Sequence, residues 1–189
     1  MIPPFDHSSV IPPFVGADPT HPANMSPYRA QIDELVATFA TSPERSAILR
    51  GLLSYRSALI GLGVTQGFQW IDGSFAEDIE TSENRPPNDI DVVTFLFRPA
   101  SHRDPHAWNA LLQANLSLFT PKQAKLNYKC DAYIVDMDEP PETVVDNTSY
   151  WFGLFSHKRV TALWKGIVQV PLADRDSNAL SIIEARFPI

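Results

Sequence analysis

The feature that most constrains this chain is an apolar run that begins inside an Asp-Ile-Asp triplet. Residues 89–97 read DIDVVTFLF, so Asp89 and Asp91 stand at the start of a segment that is otherwise almost wholly apolar. Such a run is typical of a strand buried in the middle of a sheet. Because side chains alternate between the two faces of a strand, Asp89 and Asp91 are predicted to point the same way, about 7 Å apart, with Ile90 directed into the core.

Two carboxylates on one face repel each other, and one of them should resist ionising. A divalent cation between them removes this repulsion, and Mg²⁺ favours one or two carboxylates combined with substrate phosphates. Residues 71–91 hold seven acidic residues and one basic residue, whereas the whole chain carries a net charge of −7. Most of the net charge is therefore concentrated around one candidate site.

The bulk composition fits a single globular domain. The chain has 189 residues, of which 44% are hydrophobic and 20% charged, enough to build one substantial core. The acidic balance argues against an extended surface for duplex nucleic acid. The single cysteine, Cys130, excludes an internal disulfide and a cysteine-based zinc site. With no signal peptide and no membrane-spanning apolar run, the sequence predicts a cytoplasmic protein that is not in the membrane.

Capping residues and hydrophobic periodicity predict alternating helices and strands. The Ser26-Pro27 and Ser42-Pro43 pairs resemble an N-cap followed by proline at the first helical position. The predicted helices are 26–40, 42–60, 104–119, a short turn at 121–126, 140–156 and 177–186. The predicted strands are 66–72, 89–97, 129–136 and 160–170, the last broken or bulged at Gly166. This order predicts an α/β (α+β) fold with a mixed central sheet flanked by helices.

The first residues of the chain have a different character. Residues 1–25 contain six prolines, which forbid a helix and favour extended backbone. Aromatic and aliphatic residues between the prolines favour an extended arm that lies on the domain, and a disordered tail is the alternative. We therefore expect a proline-rich arm at 1–25 and one domain at 26–189, with a core at about 43–136 and a C-terminal helix-strand-helix extension at 140–189. The prolines of the arm are Pro3, Pro4, Pro12, Pro13, Pro19 and Pro22.

The middle of the chain resembles the nucleotidyltransferase superfamily typified by DNA polymerase beta, in its small, minimal bacterial type. The likeness covers about residues 43–136. It consists of a helix, a strand ending in Gly73-Ser74, a strand opening with Asp89-Ile90-Asp91, and a later strand carrying Asp131. The resemblance implies that Asp89, Asp91 and Asp131 are catalytic and hold two Mg²⁺ or Mn²⁺ ions. It also implies that Gly73 and Ser74 lie against the phosphates of a nucleoside triphosphate.

Basic residues elsewhere are further candidates. Arg159 and Lys165, with Lys158, could meet a triphosphate, because Mg²⁺ rarely neutralises all of its charge; otherwise they are solvated or paired with acids. Lys125 belongs to a small basic group before Asp131 that is also compatible with the polar face of a short helix.

Three hypotheses for function remain open. In the first, the chain moves a nucleoside monophosphate from MgNTP to a hydroxyl of a protein, a small molecule or a nucleic-acid end, with a toxin-antitoxin or defence module as one candidate setting. In the second, it is a catalytically weak or inactive binding module. This reading is motivated by the long acidic spacer 75–88 and by Glu77-Asp78, which stand where the superfamily has a second glycine. In the third, the chain is oligomeric or binds a partner protein, with the N-terminal arm docked on a neighbour.

Overall fold

A computed structural model describes residues 1–18 and 20–188 of the chain. Pro19, one of the prolines of the predicted arm, and Ile189, the end of the predicted domain, lie outside the described residues. Five strands form one sheet: β1 Tyr28–Arg29, β2 Gly67–Asp72, β3 Ile90–Leu96, β4 Cys130–Asp136 and β5 Val168–Pro171. Eight helices accompany it in the described part: α1 Ile32–Phe39, α2 Pro43–Gly61, α3 Ile79–Glu83, α4 Pro105–Ala114, α5 Leu116–Phe119, α6 Pro121–Tyr128, α7 Pro141–Phe155 and α8 Asp176–Arg186.

The sheet is mixed, which confirms the predicted fold class. Its strand order is β1-β5-β2-β3-β4. Strand β2 pairs antiparallel with both β3 and β5, whereas β3 pairs with β4, and β1 with β5, in parallel. The two central strands, β2 and β3, thus run in opposite directions, and the carboxyl end of β2 meets the amino ends of β3 and β4.

The two faces of the sheet bury different cores. One face packs on α1, α2, α6 and α8, and the apolar stripes predicted for the first two helices are buried there, Val36 and Leu52 among them. The other face is covered by α7, whose Trp151 and Phe155 pack with Trp70 and Phe95 of the sheet. The candidate site lies at one end of this second face.

The predicted helix at 26–40 begins later than expected, and this part of the prediction is wrong. The Ser26 hydroxyl accepts a hydrogen bond from the Ile167 amide (2.6 Å), so it does not cap a helix. Tyr28 and Arg29 then pair with β5, and α1 starts only at Ile32. By contrast, Ser42 caps α2 as predicted, because its hydroxyl accepts from the Arg45 amide.

The predicted strand at 160–170 is also shorter than expected. Only Val168–Pro171 joins the sheet, because the preceding backbone is bonded elsewhere. The Gly166 amide donates to the Ile11 carbonyl (2.7 Å) and the Lys165 amide to the Ser156 carbonyl (2.8 Å). A Cβ atom on Gly166 would lie 2.6 Å from the Pro12 carbonyl oxygen, so glycine permits this close approach.

The N-terminal segment lies against the rest of the chain. Val10 and Ile11 are fully buried, and Val10 forms an antiparallel bridge with Glu77. The Asp78 amide donates to the Ser9 carbonyl (2.9 Å). Residues 9–11 therefore bond both to the loop after β2 and to the segment before β5, which are two walls of the candidate site.

Across the part of the chain that the structure describes, none of the helices combines the length and apolar character that crossing a membrane requires.

Candidate carboxylate site

Three aspartates from three adjacent strands lie side by side at one end of the sheet. Asp72, the last residue of β2, is paired with Asp91 of β3, and Asp91 is paired with Asp131 of β4. Paired residues on neighbouring strands point to the same face of a sheet. Asp89 is two residues before Asp91 and so belongs to the same face. The fold therefore brings together the three predicted acids and adds a fourth, Asp72.

These acids open onto a cavity of about 500 Å³, a volume within the usual range for small-molecule sites. Its walls come from the end of β2, the loop after it, the start of β3, helix α6, strand β4 and the segment after α7. Every residue predicted for the site lines this cavity: Gly73, Ser74, Asp89, Asp91, Asp131, Arg159 and Lys165.

Gly73 lies directly against the Asp91 carboxylate. Its backbone has a φ of 81°, a conformation that side-chain-bearing residues rarely adopt. A Cβ atom at this position would be 2.3 Å from Asp91 Oδ2, well inside van der Waals contact. Glycine is thus required both by the turn and by the carboxylate beside it.

The loop after Gly73 is fastened to α2 by a buried arginine. The Arg45 guanidinium donates to the carbonyl oxygens of Phe75 and Glu77, each at 2.7 Å, and forms an ion pair with Glu80. Arg45 is only 2% exposed, so the loop is held in a fixed position beside the cavity. Two acids of the 75–88 spacer thus form ion pairs with arginines: Glu80 with Arg45, and Glu83 with Arg85.

Lys165 is buried, whereas a side chain that binds phosphate directly would be expected at the open part of the cavity. Its ammonium forms ion pairs with Asp72 (3.0 Å) and Glu77 (2.8 Å) and lies 3.4 Å from the Gly73 carbonyl oxygen. Lys158 reaches Glu77 from the other side, at 3.0 Å. The site thus contains a chain of alternating charges next to the aspartates, while Arg159 remains exposed at its rim.

Burial and mutual repulsion shift the protonation of two of the aspartates. Burial, with Asp89 and Asp131 as neighbours, raises the pKa of Asp91 to about 6, although Arg159 and Lys165 act to lower it. Burial raises the pKa of Asp72 to about 7, against the opposing effect of Lys165. Burial acts to lower the pKa of Lys165, but Asp72 and Glu77 outweigh it and raise that pKa overall. Burial is thus the main reason that these two carboxyls resist ionising, and repulsion from Asp89 and Asp131 adds to it at Asp91.

Asp89 is engaged by a lysine from α6. Lys125 forms a direct ion pair with Asp89 Oδ2, and this hydrogen bond is the main cause that raises the pKa of Lys125. Among residues 1–18 and 20–188, no group of three or more His, Cys, Asp or Glu side chains is arranged to hold a metal ion. Asp89 and Asp72 each contact a lysine instead.

Sequence reasoning missed Asp72, Glu77 and Arg45 as parts of the site. Asp72 directly precedes the Gly73-Ser74 turn at a strand end, which was the available signal for it. Arg45 gave no signal, since it lies in the first turn of a helix that is separated from the loop by β2.

Comparison with known protein families matches most of this chain to one family. A model described as a family of unknown function (DUF6932) matches residues 3–171. The chain belongs to this family. The DUF6932 match includes every residue of the site described above, and it ends at the last residue of β5, before α8. It also includes the N-terminal segment that braces the site. No curated protein and no solved structure matches the chain.

Proposed function

We propose that this DUF6932 protein is a metal-dependent nucleotidyltransferase related to the DNA polymerase beta superfamily. It would transfer a nucleoside monophosphate from a nucleoside triphosphate to an acceptor hydroxyl and release pyrophosphate. One observation carries the proposal: Asp91 and Asp131 lie side by side on adjacent strands, with Asp89 on the same face, in the cavity that the Gly73-Ser74 turn also lines.

The residues present fit a divalent cation. Burial raises the pKa of Asp91, and the nearby Asp89 and Asp131 carboxylates raise it further; a cation between the carboxylates would relieve the part that comes from repulsion. Mg²⁺ usually takes only one or two protein carboxylates and completes its shell with water and substrate phosphates. A site without three converging protein ligands is therefore compatible with a cation that binds together with the nucleotide. Asp89 and Asp91 would hold the two ions, and Asp131 would assist at the ion that activates the acceptor hydroxyl.

When bound, Mg²⁺ or Mn²⁺ ions would supply charge neutralisation for the attacking and leaving oxygens of an in-line displacement. The chain's own residues would position the reactants. The Gly73-Ser74 turn, which precedes the loop that Arg45 fastens, would hold the β- and γ-phosphates through its backbone. Asp131, the outermost carboxylate of the row, would accept the proton of the acceptor hydroxyl.

The remaining cations have distinct roles in this proposal. Arg159 is exposed at the rim of the cavity, so it would contact the triphosphate directly. Lys165 is bound between Asp72 and Glu77 and close to the Gly73 carbonyl, so it would act mainly by keeping the turn in place. The acceptor would be a protein, a small molecule or a nucleic-acid end. A cytoplasmic role within a toxin-antitoxin or defence module belongs to the same proposal.

A second candidate is a binding module without turnover. The observation that favours it is the Lys125–Asp89 ion pair, which engages one of the three carboxylates that catalysis would need. Such a protein would bind nucleotide without transferring it.

Labelling experiments separate the two candidates. We would incubate the protein with each α-labelled nucleoside triphosphate, Mg²⁺ or Mn²⁺, and cell lysate, beside an Asp89→Ala/Asp91→Ala variant and an Asp146→Asn control. Asp146 is exposed on α7 and does not line the cavity. Label transferred by the wild type and the control, but not by the double variant, would support transfer. The absence of label with every nucleotide and metal would count against it.

Thermal or chemical unfolding with MgNTP provides an independent check. A ligand present at about 100 times its dissociation constant stabilises the folded state by roughly 2.7 kcal/mol. Stabilisation without labelling would favour the binding module. No stabilisation by any nucleotide at millimolar concentration would remove both candidates.

A further inference from the structure

Lys125 and Asp89 differ sharply in their exposure. The Lys125 side chain is 52% exposed, whereas that of Asp89 is only 16% exposed. Lys125 lies on α6, and the ammonium at the end of its long side chain contacts a carboxylate that is mostly withdrawn from solvent. The lysine is therefore the partner with more open space around it.

The lysine contacts the carboxylate where a metal would bind. The ion pair is made with Asp89 Oδ2, and a carboxylate oxygen in contact with an ammonium is a poorer ligand for a cation. Asp91 and Asp131 line the same cavity as Asp89 and Lys125, so the negative charge near Lys125 comes from all three acids. The Lys125 ammonium thus stands at one of the three carboxylates that are proposed to hold metal.

Lys125 also lines the cavity in which the triphosphate is proposed to bind, together with Arg159 and Lys158. If a divalent cation takes over Asp89, the displaced ammonium remains at the cavity wall. A triphosphate carries more negative charge than one Mg²⁺ neutralises, so a phosphate oxygen would be the natural new partner.

We infer that Lys125 is a substrate-binding residue that exchanges partners: it holds Asp89 while the site is without metal and contacts the triphosphate once metal and nucleotide bind. This inference rests on the proposed function. It implies that Lys125 weakens the binding of metal alone and strengthens the binding of metal with triphosphate. A lysine that only stabilises the C-terminal turn of α6 would do neither.

The chain offers a matched control on the same helix. Lys122 is exposed on α6 and does not line the cavity. Lys122→Gln therefore removes the same charge from the same helix without touching Asp89. Lys125→Arg keeps a cation next to Asp89 and tests whether charge alone is sufficient.

The test measures two affinities by titration calorimetry, with Mn²⁺ binding also followed by electron paramagnetic resonance. The ligands are Mn²⁺ alone and inorganic tripolyphosphate in saturating Mn²⁺, which presents a triphosphate without requiring the correct base. Lys125→Gln should bind Mn²⁺ alone about two- to fivefold more tightly, the effect of losing one partly exposed ion pair. It should bind tripolyphosphate several-fold more weakly, while Lys122→Gln matches the wild type in both titrations.

Unchanged or weaker Mn²⁺ binding by Lys125→Gln, or unchanged tripolyphosphate binding, would overturn the inference and leave the proposed function standing. Equal shifts in Lys122→Gln would overturn it as well, because they would reflect net charge only. If the wild type and every variant bind neither ligand, the proposed function fails and the inference fails with it. Circular dichroism of each variant confirms that the titrated protein is folded.

Discussion

Asp91 and Asp131 are directly paired on two adjacent parallel strands, so that two acidic side chains lie next to each other on one face of the sheet. Asp72 stands on the other side of Asp91, across an antiparallel pair. Three carboxylates in a row across a sheet are electrostatically unfavourable. We attribute this local cost to function, since binding and catalytic sites are where unfavourable charge is commonly concentrated.

The first prediction concerns pH. The pKa of Asp91 is raised to about 6 in the folded protein, so the folded state holds this proton more tightly than the unfolded state does. Stability from this group is therefore greatest at acidic pH and is lost as the pH rises through about 6, by at most about 3 kcal/mol. Asp91→Asn should remove this loss.

Urea unfolding without divalent metal, at intervals from pH 4 to pH 8, measures this effect. The stability of Asp91→Asn minus that of the wild type should increase with pH up to about 6 and then level off. A difference that does not change with pH would contradict the raised pKa. Using the difference cancels the titration of shared groups that do not interact with Asp91; Asp72, on whose pKa Asp91 acts, is the exception.

The second prediction concerns Gly73. Gly73→Ala should destabilise the fold by about 1–3 kcal/mol, because alanine is strained at a positive φ and its Cβ would meet the Asp91 carboxylate. It should also abolish labelling. Gly153→Ala is the control: a Cβ atom there meets nothing within 4 Å, and alanine in a helix should be stabilising by about 0.5–1 kcal/mol. Equal effects of the two substitutions would show that the contact with Asp91 is unimportant.

The third prediction concerns the buried cation. Lys165→Met should destabilise the protein by about 3–5 kcal/mol, because Asp72 and Glu77 would lose a buried partner. Adding Asp72→Asn to Lys165→Met should recover part of the loss, since one uncompensated charge is then removed. Chemical unfolding of the wild type, both single variants and the double variant measures the coupling between the two residues. Strictly additive effects would argue that the pair does not interact.

The fourth prediction concerns Arg159. Arg159→Ala should weaken nucleotide binding on the order of tenfold, as expected for one charge-assisted contact to phosphate. Its effect on stability should stay within about 0.5 kcal/mol, because the side chain is exposed. Arg175 serves as control, since it pairs with Asp33 and does not line the cavity. Nucleotide titrations that show no difference between the two variants would remove Arg159 from the site.

Much of the local structure could be predicted from the sequence. The bounds of α2 and α8 and of β2 to β4 lie within about two residues of those expected, because hydrophobic periodicity and capping residues act over a few neighbouring positions. The expectations failed at 26–31 and 160–167. There, hydrogen bonds between distant segments override the local signals: the Ile167 amide donates to the Ser26 hydroxyl, and the Gly166 amide donates to the Ile11 carbonyl.

The candidate site, too, has features that could be predicted from the sequence and features that could not. Local sequence was enough to predict which strands carry carboxylates and that Asp89 and Asp91 share a face, since alternation along a strand is a local property. The alignment of Asp72, Asp91 and Asp131 across three strands came from the folded sheet, because strand register depends on how the sheet packs and not on any single segment. The fold also decided that Lys125 and Lys165 are the cations that contact these acids. Such ion pairs join residues far apart in the chain, and their formation depends on a distance that only the folded backbone sets.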